Sequence, residues 1–436
     1  MGTYIPGTPE ERSLMMKAVG INQLSELFGD VPKEMMLEKL NLPKGMSELE
    51  VAAKVGEMAS KNKVYKTIFR GAGAYDHYIP SIVKQVTSKE EFVTTYTPYQ
   101  AEVSQGVLQS IFEFQTMIAE ITDMDVANAS VYDGATAAAE AITCCVERKR
   151  SKMLVSGGTN PETLEVMKTY SFGADRELVV VPTKDGKTDL EALKSLIDEE
   201  TAGVFIQQPN FFGMIEEAEE IGNIAHEAGA KFVMGIEPIA ATVLKSPGEC
   251  GADIVTGEGQ SLGIPLSFGG PYLGFMACKE KLMRRLPGRI VGETVDVDGR
   301  RAFVLTLQAR EQHIRREKAT SNICSNQALC AMMSAVYMAT LGSKGIEKVA
   351  NNCYSKAHYA AEKISDIPGF ELVNQGEFFN EFVTACPDVE KTLKALDDEG
   401  ILGGLPVDGG ILWCVTETNS KEDIDRLVEI LKEVRA

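Results

Sequence analysis

The sequence predicts an α/β protein with a mostly parallel sheet in a large domain and a smaller α+β domain at the C-terminal end. A chain of 436 residues is too long for a single hydrophobic core, so two closely packed domains are expected. Between about residues 127 and 236, strand-like and helix-like segments alternate five times, which is typical of βαβ units. After about residue 323 the pattern changes to two long helices followed by short strands.

The first 75 residues predict a helical arm. Helical spacing lies between proline and glycine breaks over 10–17, 21–27, 32–37 and 48–60. Two loop-like segments, 71–77 and 94–100, come next, and the second leads into a helix predicted over 103–121. We therefore place the arm at 1–75, the large domain at 76–320 and the small domain at 321–436.

The alternating region gives the elements of the large domain. Strands are predicted over 152–156, 178–182, 203–207 and 231–236, and helices over 137–150, 190–198 and 215–228. Asn160 before Pro161, and Asp189 before an apolar run, predict helix N-caps. In the small domain, helices are predicted over 326–339, 345–363, 388–398 and 421–434, and strands over 370–373, 379–384 and 410–415. Because helices separate the strands of the large domain, its sheet is expected to be largely parallel.

Composition and charge exclude several classes of function. A net charge of −19 makes nucleic acid and anionic membranes poor partners. No apolar stretch predicts a bilayer-spanning segment, and the N-terminal residues show no secretory signal. Nine cysteines without paired-ligand spacing are typical of reduced thiols, so a cytoplasmic location is expected. With four histidines and no second ligand at helical spacing, no metal site is expected.

Four segments resemble a known family. Segments 97–106, 126–136 and 319–324 are similar to characteristic segments of the glycine cleavage system P-protein, and 268–272 looks like that family's Gly-Gly-Pro segment. They lie in the family's order and span most of the chain. The resemblance implies the aspartate-aminotransferase-like fold, which is pyridoxal phosphate (PLP) fold type I.

The resemblance also implies a reaction and its partners. In that family one long chain or two short chains make the enzyme, and this length resembles the alpha chain, subunit 1. The implied partner is a homologous beta subunit, in an expected alpha2beta2 assembly, which holds PLP covalently while this chain holds none. The implied reaction decarboxylates glycine and passes its aminomethyl group to lipoamide of the H-protein.

PLP chemistry requires donors for the phosphate, an acid for the pyridine nitrogen and a lysine for the aldehyde. Gly134, Ala135 and Thr136 begin a predicted helix whose free N–H groups suit an anion, although a plain helix cap is an equal alternative. Glu237 ends a predicted strand where such folds usually place aspartate. Because glutamate is longer by one methylene, we expect a structural ion pair or cap there.

The lysine position is changed more severely. In catalytic members of the fold, a His-Lys pair precedes the glycine-rich stretch by a few residues. Counting back from Pro265 places Gly259 and Gln260 at those two positions. Because an amide cannot form an imine, this chain alone is not expected to be a PLP enzyme, and 134–136, Glu237 and Gln260 form a degenerate cofactor pocket.

Residues that reach the partner's active site are therefore the functional candidates. Tyr96, Tyr99 and Gln100 are expected to line a substrate channel or to bind the cofactor phosphate, with interface packing as the alternative. Asn322 is a further donor toward the partner, with a helix N-cap as the alternative. His77 is interpreted as a surface or interface hydrogen-bonding residue rather than an acid–base group.

Two other functions remain open at this point. One is a structural scaffold subunit whose own pocket is vestigial. The other is a lyase or transferase without the lysine that binds a phosphate-bearing ligand through 134–136 and acts alone.

Overall fold

The computed structural model describes residues 7–37, 39–267, 269–307 and 312–435. The chain divides into two compact units, residues 1–64 and 65–436. The predicted boundaries at 75 and 320 stay predictions. Phe268 of the segment 268–272 lies outside the described residues.

The N-terminal unit contains two α-helices, α1 (Pro9–Val19) and α2 (Glu48–Ala59), among its described residues. Each begins with a capping box, from Thr8 to Glu11 and from Ser47 to Glu50. Both helices confirm the predictions for 10–17 and 48–60. The other two predicted helices are only 3-10 turns, at Leu24–Phe28 and Lys33–Met35, because segments this short do not repay helix nucleation.

The second unit contains the remaining elements. Its helices are α3 (Ser81–Thr87), α4 (Glu90–Val93), α5 (Gln105–Thr122), α6 (Gly134–Cys145), α7 (Pro161–Gly173), α8 (Leu190–Leu196), α9 (Ala218–Glu227), α10 (Gln312–Arg315), α11 (Ala328–Ser365), α12 (Val389–Asp398) and α13 (Lys421–Arg435). Its strands are β1 (Thr67–Ile68), β2 (Val126–Ala127), β3 (Lys152–Ser156), β4 (Leu178–Val181), β5 (Thr183–Lys184), β6 (Lys187–Thr188), β7 (Thr201–Gln208), β8 (Lys231–Ile236), β9 (Ile254–Glu258), β10 (Gly274–Cys278), β11 (Ile290–Val295), β12 (Arg301–Thr306), β13 (Glu381–Thr384), β14 (Ile401–Leu402), β15 (Leu405–Val407) and β16 (Gly410–Cys414).

The central sheet confirms the predicted α/β class. Within the described residues it has seven strands in the order β2-β10-β9-β8-β7-β3-β4. The pairs from β9 through β8, β7 and β3 to β4 are parallel, and β10 is antiparallel to both of its neighbours. The caps predicted at Asn160 and Asp189 are present, because each side chain accepts backbone N–H bonds of the following helix.

Helices cover both faces of this sheet. One face packs against α5, α9 and the first half of α11, with Phe114, Ile221 and Phe232 in its core. The other face packs against α6 and α7, with Ile142, Met167 and Phe205. Because both faces are covered, β3 is buried at all five positions and shows no polar alternation.

Helix α11 joins the predicted helices 326–339 and 345–363 across a kink. Gly342 has φ +62°, outside helical geometry, and it lies in the gap between the two predicted helices. By length and composition this helix is long and apolar enough to cross a bilayer, contrary to expectation. That is weak support for a membrane role, because its inner side chains, including Tyr337 and Met338, lie in the protein core.

The C-terminal part forms a second layer. Strands β13, β16 and β15 make an antiparallel sheet around Trp413, which is fully buried, and α12 and α13 cover it. Two predicted strands, 379–384 and 410–415, are confirmed. The third, 370–373, is limited to one bridge from Leu372 to Thr384, so that prediction is wrong. The hairpin β11–β12 was not predicted.

Gly213 allows the loop after β7 to lie against β13. Its φ is +82°, and a Cβ there would lie 1.9 Å from the backbone oxygen of Glu381. The glycine at 299, in the β11–β12 turn, also has positive φ (+75°) but has nothing within 4 Å of that position. Both positions therefore require a positive φ, but only at position 213 is there no room for a Cβ.

Gly213→Ala should lower the free energy of unfolding by more than about 3 kcal/mol, because backbone strain and overpacking add. Gly299→Ala is the matched control and should cost about 1–2 kcal/mol from backbone strain alone. Urea unfolding followed by circular dichroism measures both. Equal losses would show that the contact between Gly213 and Glu381 is not tight in solution.

Candidate functional site

A cavity of about 640 Å³ opens at the carboxyl edge of the parallel strands. Ligands bind at this edge in open α/β sheets. Its wall includes the start of α6, the residues that follow β8 and β9, the loop 71–75 and Tyr272. All five residues of the predicted degenerate pocket, Gly134, Ala135, Thr136, Glu237 and Gln260, line it.

Carboxylates bind the first N–H groups of α6. Asp133 is the N-cap and accepts the Thr136 N–H at 2.7 Å. Glu258, the last residue of β9, accepts the Gly134 N–H at 2.9 Å. Two of the donors that the sequence offered to a phosphate are therefore bound within the chain.

Glu237 is held by short local bonds. Its carboxylate accepts the Ala240 N–H at 2.6 Å and the Ser261 hydroxyl at 2.5 Å. The Ala240 bond satisfies the first N–H of the 3-10 turn that follows β8. Both of its oxygens thus have donors from this chain.

Gln260 is buried, with 2% of its surface exposed. Its Oε1 accepts the Tyr75 N–H at 2.8 Å, and its Nε2 donates to the carbonyl oxygens of Tyr75 and Ile264 at 2.9 and 2.8 Å. The amide therefore ties the loop 71–75 to the segment after β9. An ammonium group there would leave the Tyr75 N–H without its acceptor.

Glu381 holds the same loop from the small sheet. Its carboxylate accepts the Ala72 N–H at 2.6 Å and the Tyr75 hydroxyl at 2.8 Å. Burial raises the pKa of Glu381 to about 7, and burial first and the Glu381 charge second raise the pKa of Tyr75 well above its usual value. The loop 71–75 is therefore held by two buried polar side chains, Gln260 after β9 and Glu381 in the small sheet.

These contacts do not fit PLP bound covalently to this chain. The described residues that line the cavity include no lysine. The Gln260 amide is fully used, the Gly134 N–H is bound by Glu258, and Glu237 has its own donors. The position that would attack an aldehyde and the donors that would hold a phosphate are both committed to the fold.

The other candidate residues lie outside this cavity. Tyr96 is 89% exposed and Tyr99 is 60% exposed, while Gln100 and Asn322 are also exposed. The Tyr99 hydroxyl accepts a bond of 2.8 Å from Arg289, whose guanidinium lies over the Tyr99 ring. Asn322 accepts a long bond from Tyr170 at 3.4 Å. Their exposure leaves them free to meet a partner.

His77 belongs to a separate buried cluster. Its Nδ1 lies 2.7 Å from Glu417, which also receives a 3.4 Å contact from the Cys353 thiol. The three groups have the proximity of metal ligands, a grouping that the sequence did not suggest. Burial raises the Glu417 pKa, but the hydrogen bond and charge of His77, together with backbone hydrogen bonds, outweigh it, so the net pKa is lowered. The contact joins the loop after 75 to the C-terminal layer, so His77 is not a surface residue.

Sequence reasoning gave no role to Glu258, Glu381 or Arg289. Glu258 ends β9 at the same carboxyl edge at which Glu237 follows β8, so its place along the chain was a usable signal. Glu381 and Arg289 reach their partners across more than 180 positions of chain, from Glu381 to Tyr75 and from Arg289 to Tyr99. No local pattern reports such contacts.

Comparisons with known proteins point to one family. The family profile described as "Glycine cleavage system P-protein" matches residues 2–431. The chain is 51% identical to the probable glycine dehydrogenase (decarboxylating) subunit 1 of Moorella thermoacetica, over 100% of both chains. It is 49% identical to the protein of the same name from Desulfitobacterium hafniense, over 99% of this chain and 100% of that one.

Solved structures give the same result. A crystal structure of glycine decarboxylase (P-protein) of the glycine cleavage system, in inhibitor-bound form, has a TM-score of 0.94 at 43% identity, over 99% of this chain and 100% of that one. The Burkholderia pseudomallei sphingosine-1-phosphate lyase has a TM-score of 0.67 at 14% identity, over 92% and 93% of the two chains, which speaks for the fold alone. The predicted aspartate-aminotransferase-like class, PLP fold type I, is confirmed.

The pKa of Glu381 predicts a pH dependence of stability. Because that pKa is raised from 4.5 to about 7, its contribution to stability is complete below pH 4.5 and is lost as pH rises through 7. Glu381→Gln removes the titration, so the fall in unfolding free energy from pH 4.5 to 8 should be smaller by roughly 3 kcal/mol. Glu199→Gln, at an exposed glutamate, is the control. Chemical unfolding at each pH measures this, and equal pH slopes for wild type and Glu381→Gln would contradict it.

Proposed function

Because this chain belongs to the glycine cleavage system P-protein family, we propose that it is the alpha-type subunit of a glycine dehydrogenase (decarboxylating). The enzyme removes the carboxylate of glycine as CO2 and passes the aminomethyl group to lipoamide on the H-protein. The match over the full length to relatives named as subunit 1 is the observation that carries this proposal. That name also implies a second subunit.

The cofactor of the assembled enzyme is held by the beta subunit. When bound there, PLP would supply the electron sink for loss of CO2. The cavity of this chain supports that division of labour, because Gln260 stands at the lysine position and its amide bonds both the N–H and the carbonyl oxygen of Tyr75. We propose an alpha2beta2 assembly in the cytoplasm, and the nine free cysteines support that location.

The contribution of this chain to the reaction comes from the segment 96–100. Tyr96 and Tyr99 are two exposed aromatic residues in one short segment, which suits a surface covered by a partner. Arg289 orients the Tyr99 hydroxyl and adds a positive charge beside it. An aromatic hydroxyl next to a guanidinium suits the carboxylate of glycine or the phosphate of PLP.

A structural scaffold is the second candidate, since the polar groups that line the chain's own cavity are bonded to other groups of the chain. It differs from the first in one respect, because a scaffold contributes no group to the partner's site. A lyase acting alone on a phosphate ligand through 134–136 has less support, because carboxylates bind the Gly134 and Thr136 N–H groups.

Mixing the purified subunits tests the main proposal. The lone chain should show no absorbance at the internal-aldimine band and no exchange of the glycine carboxyl group with bicarbonate. Both should appear when the beta chain is added, together with an increase in mass measured by light scattering. Exchange by the lone chain would disprove the assignment of the cofactor to the partner.

Tyr99→Phe in the assembled enzyme should lower glycine turnover about 3- to 10-fold, because one oriented hydroxyl is lost. Tyr96→Phe should act in the same direction, while Tyr78→Phe, at a tyrosine that is 69% exposed and outside the segment, is the control. Steady-state kinetics and assembly mass are measured together. Unchanged turnover in both variants, with intact assembly, would favour the scaffold.

A further inference from the structure

The end of β9 lies unusually close to the start of α6. A Cβ on Gly134 would lie 2.8 Å from the Cβ of Glu258 and 2.9 Å from its backbone nitrogen. Glycine at 134 thus admits the Glu258 segment rather than a ligand. The residue that looked like part of a phosphate loop makes room for a glutamate.

Three separate segments donate to the Glu258 carboxylate. Its Oε2 accepts the Gly134 N–H at 2.9 Å. Its Oε1 accepts the Leu273 N–H at 2.9 Å and the Gln260 N–H at 3.1 Å. Backbone donors converging on one point beside a helix N-terminus are what proteins use to hold an anion.

A second carboxylate adds to the charge at this point. Asp133 accepts the Thr136 N–H on the same first turn. Burial, as the largest cause, and the charge of Asp133 raise the pKa of Glu258 to about 7. An incoming phosphate would meet these carboxylates at a helix end whose positive field they already compensate. Both the lack of space and the negative charge therefore oppose phosphate binding at this point.

We propose that the Glu258 carboxyl group occupies the place of a bound phosphate group, so that this cavity rejects phosphate-bearing ligands. The lost lysine at Gln260 explains why no imine forms, but it leaves open non-covalent binding of an organic phosphate. Glu258 closes that route as well. The inference goes beyond the proposed function, since it concerns ligand exclusion in this chain and not glycine chemistry.

Calorimetric titration of the purified full chain with inorganic phosphate, and then with PLP, tests the inference. Wild type should show no saturable binding of either. Glu258→Ala, which removes charge and bulk, should bind phosphate at least about ten times more tightly than wild type, with PLP competing for the same site. If the Glu258→Ala variant does not fold, Glu258→Ser, which also removes charge and bulk, replaces it in the titration.

Two controls separate the causes. Glu237→Ala removes a carboxylate from the same cavity but away from α6, so it should not admit phosphate. Glu258→Gln keeps the bulk, removes the charge and exchanges one acceptor oxygen for an NH2 group, and it should still exclude phosphate because the side chain fills the space. Binding by wild type, or equal binding by the Glu258→Gln and Glu258→Ala variants, would overturn the proposal as stated. Turnover of the assembled enzyme is not measured, so this result and the proposed function can fail separately.

Discussion

The polar groups that meet at the carboxyl edge of the central sheet satisfy one another, and the rest of the site depends on this constraint. A carboxylate placed in a crevice without donors costs several kcal/mol, so each glutamate there needs N–H or O–H partners. Glu258 finds three backbone donors, Glu237 finds Ala240 and Ser261, and Glu381 finds Ala72 and Tyr75. The loop 71–75 and the start of α6 are positioned by these contacts.

This arrangement links the layers of the molecule. Glu381 belongs to the small antiparallel sheet, while Gln260 follows the last parallel strand of the large one, and both bind the backbone around Tyr75. A crevice between layers is where other proteins of this fold class place their ligands. Here hydrogen bonds between side chains and backbone of the protein cross the same crevice, which favours a single position of the loop 71–75.

The geometry also distributes the proposed functions over two surfaces. The inner cavity has its donors committed, while the segment 96–100 keeps tyrosine hydroxyls near solvent with Arg289 beneath Tyr99. In the proposed assembly this chain needs no cofactor of its own to hold its fold, because the buried contacts are made by its own side chains. Its outward residues are then the part of the chain that can still act on a neighbouring site.

The sequence by itself determined the α/β class, the parallel strands, the caps at Asn160 and Asp189, the break at Gly342 and the family, because these depend on local periodicity and on short motifs. It also placed Glu237 at the end of a predicted strand and Gln260 at the position of the lysine. Only the tertiary structure decided what those groups touch, such as Glu258 on the Gly134 N–H, Glu381 on Tyr75 and His77 on Glu417. The physical reason is that hydrogen bonds between residues more than a hundred positions apart depend on the packing of layers, which no local pattern encodes.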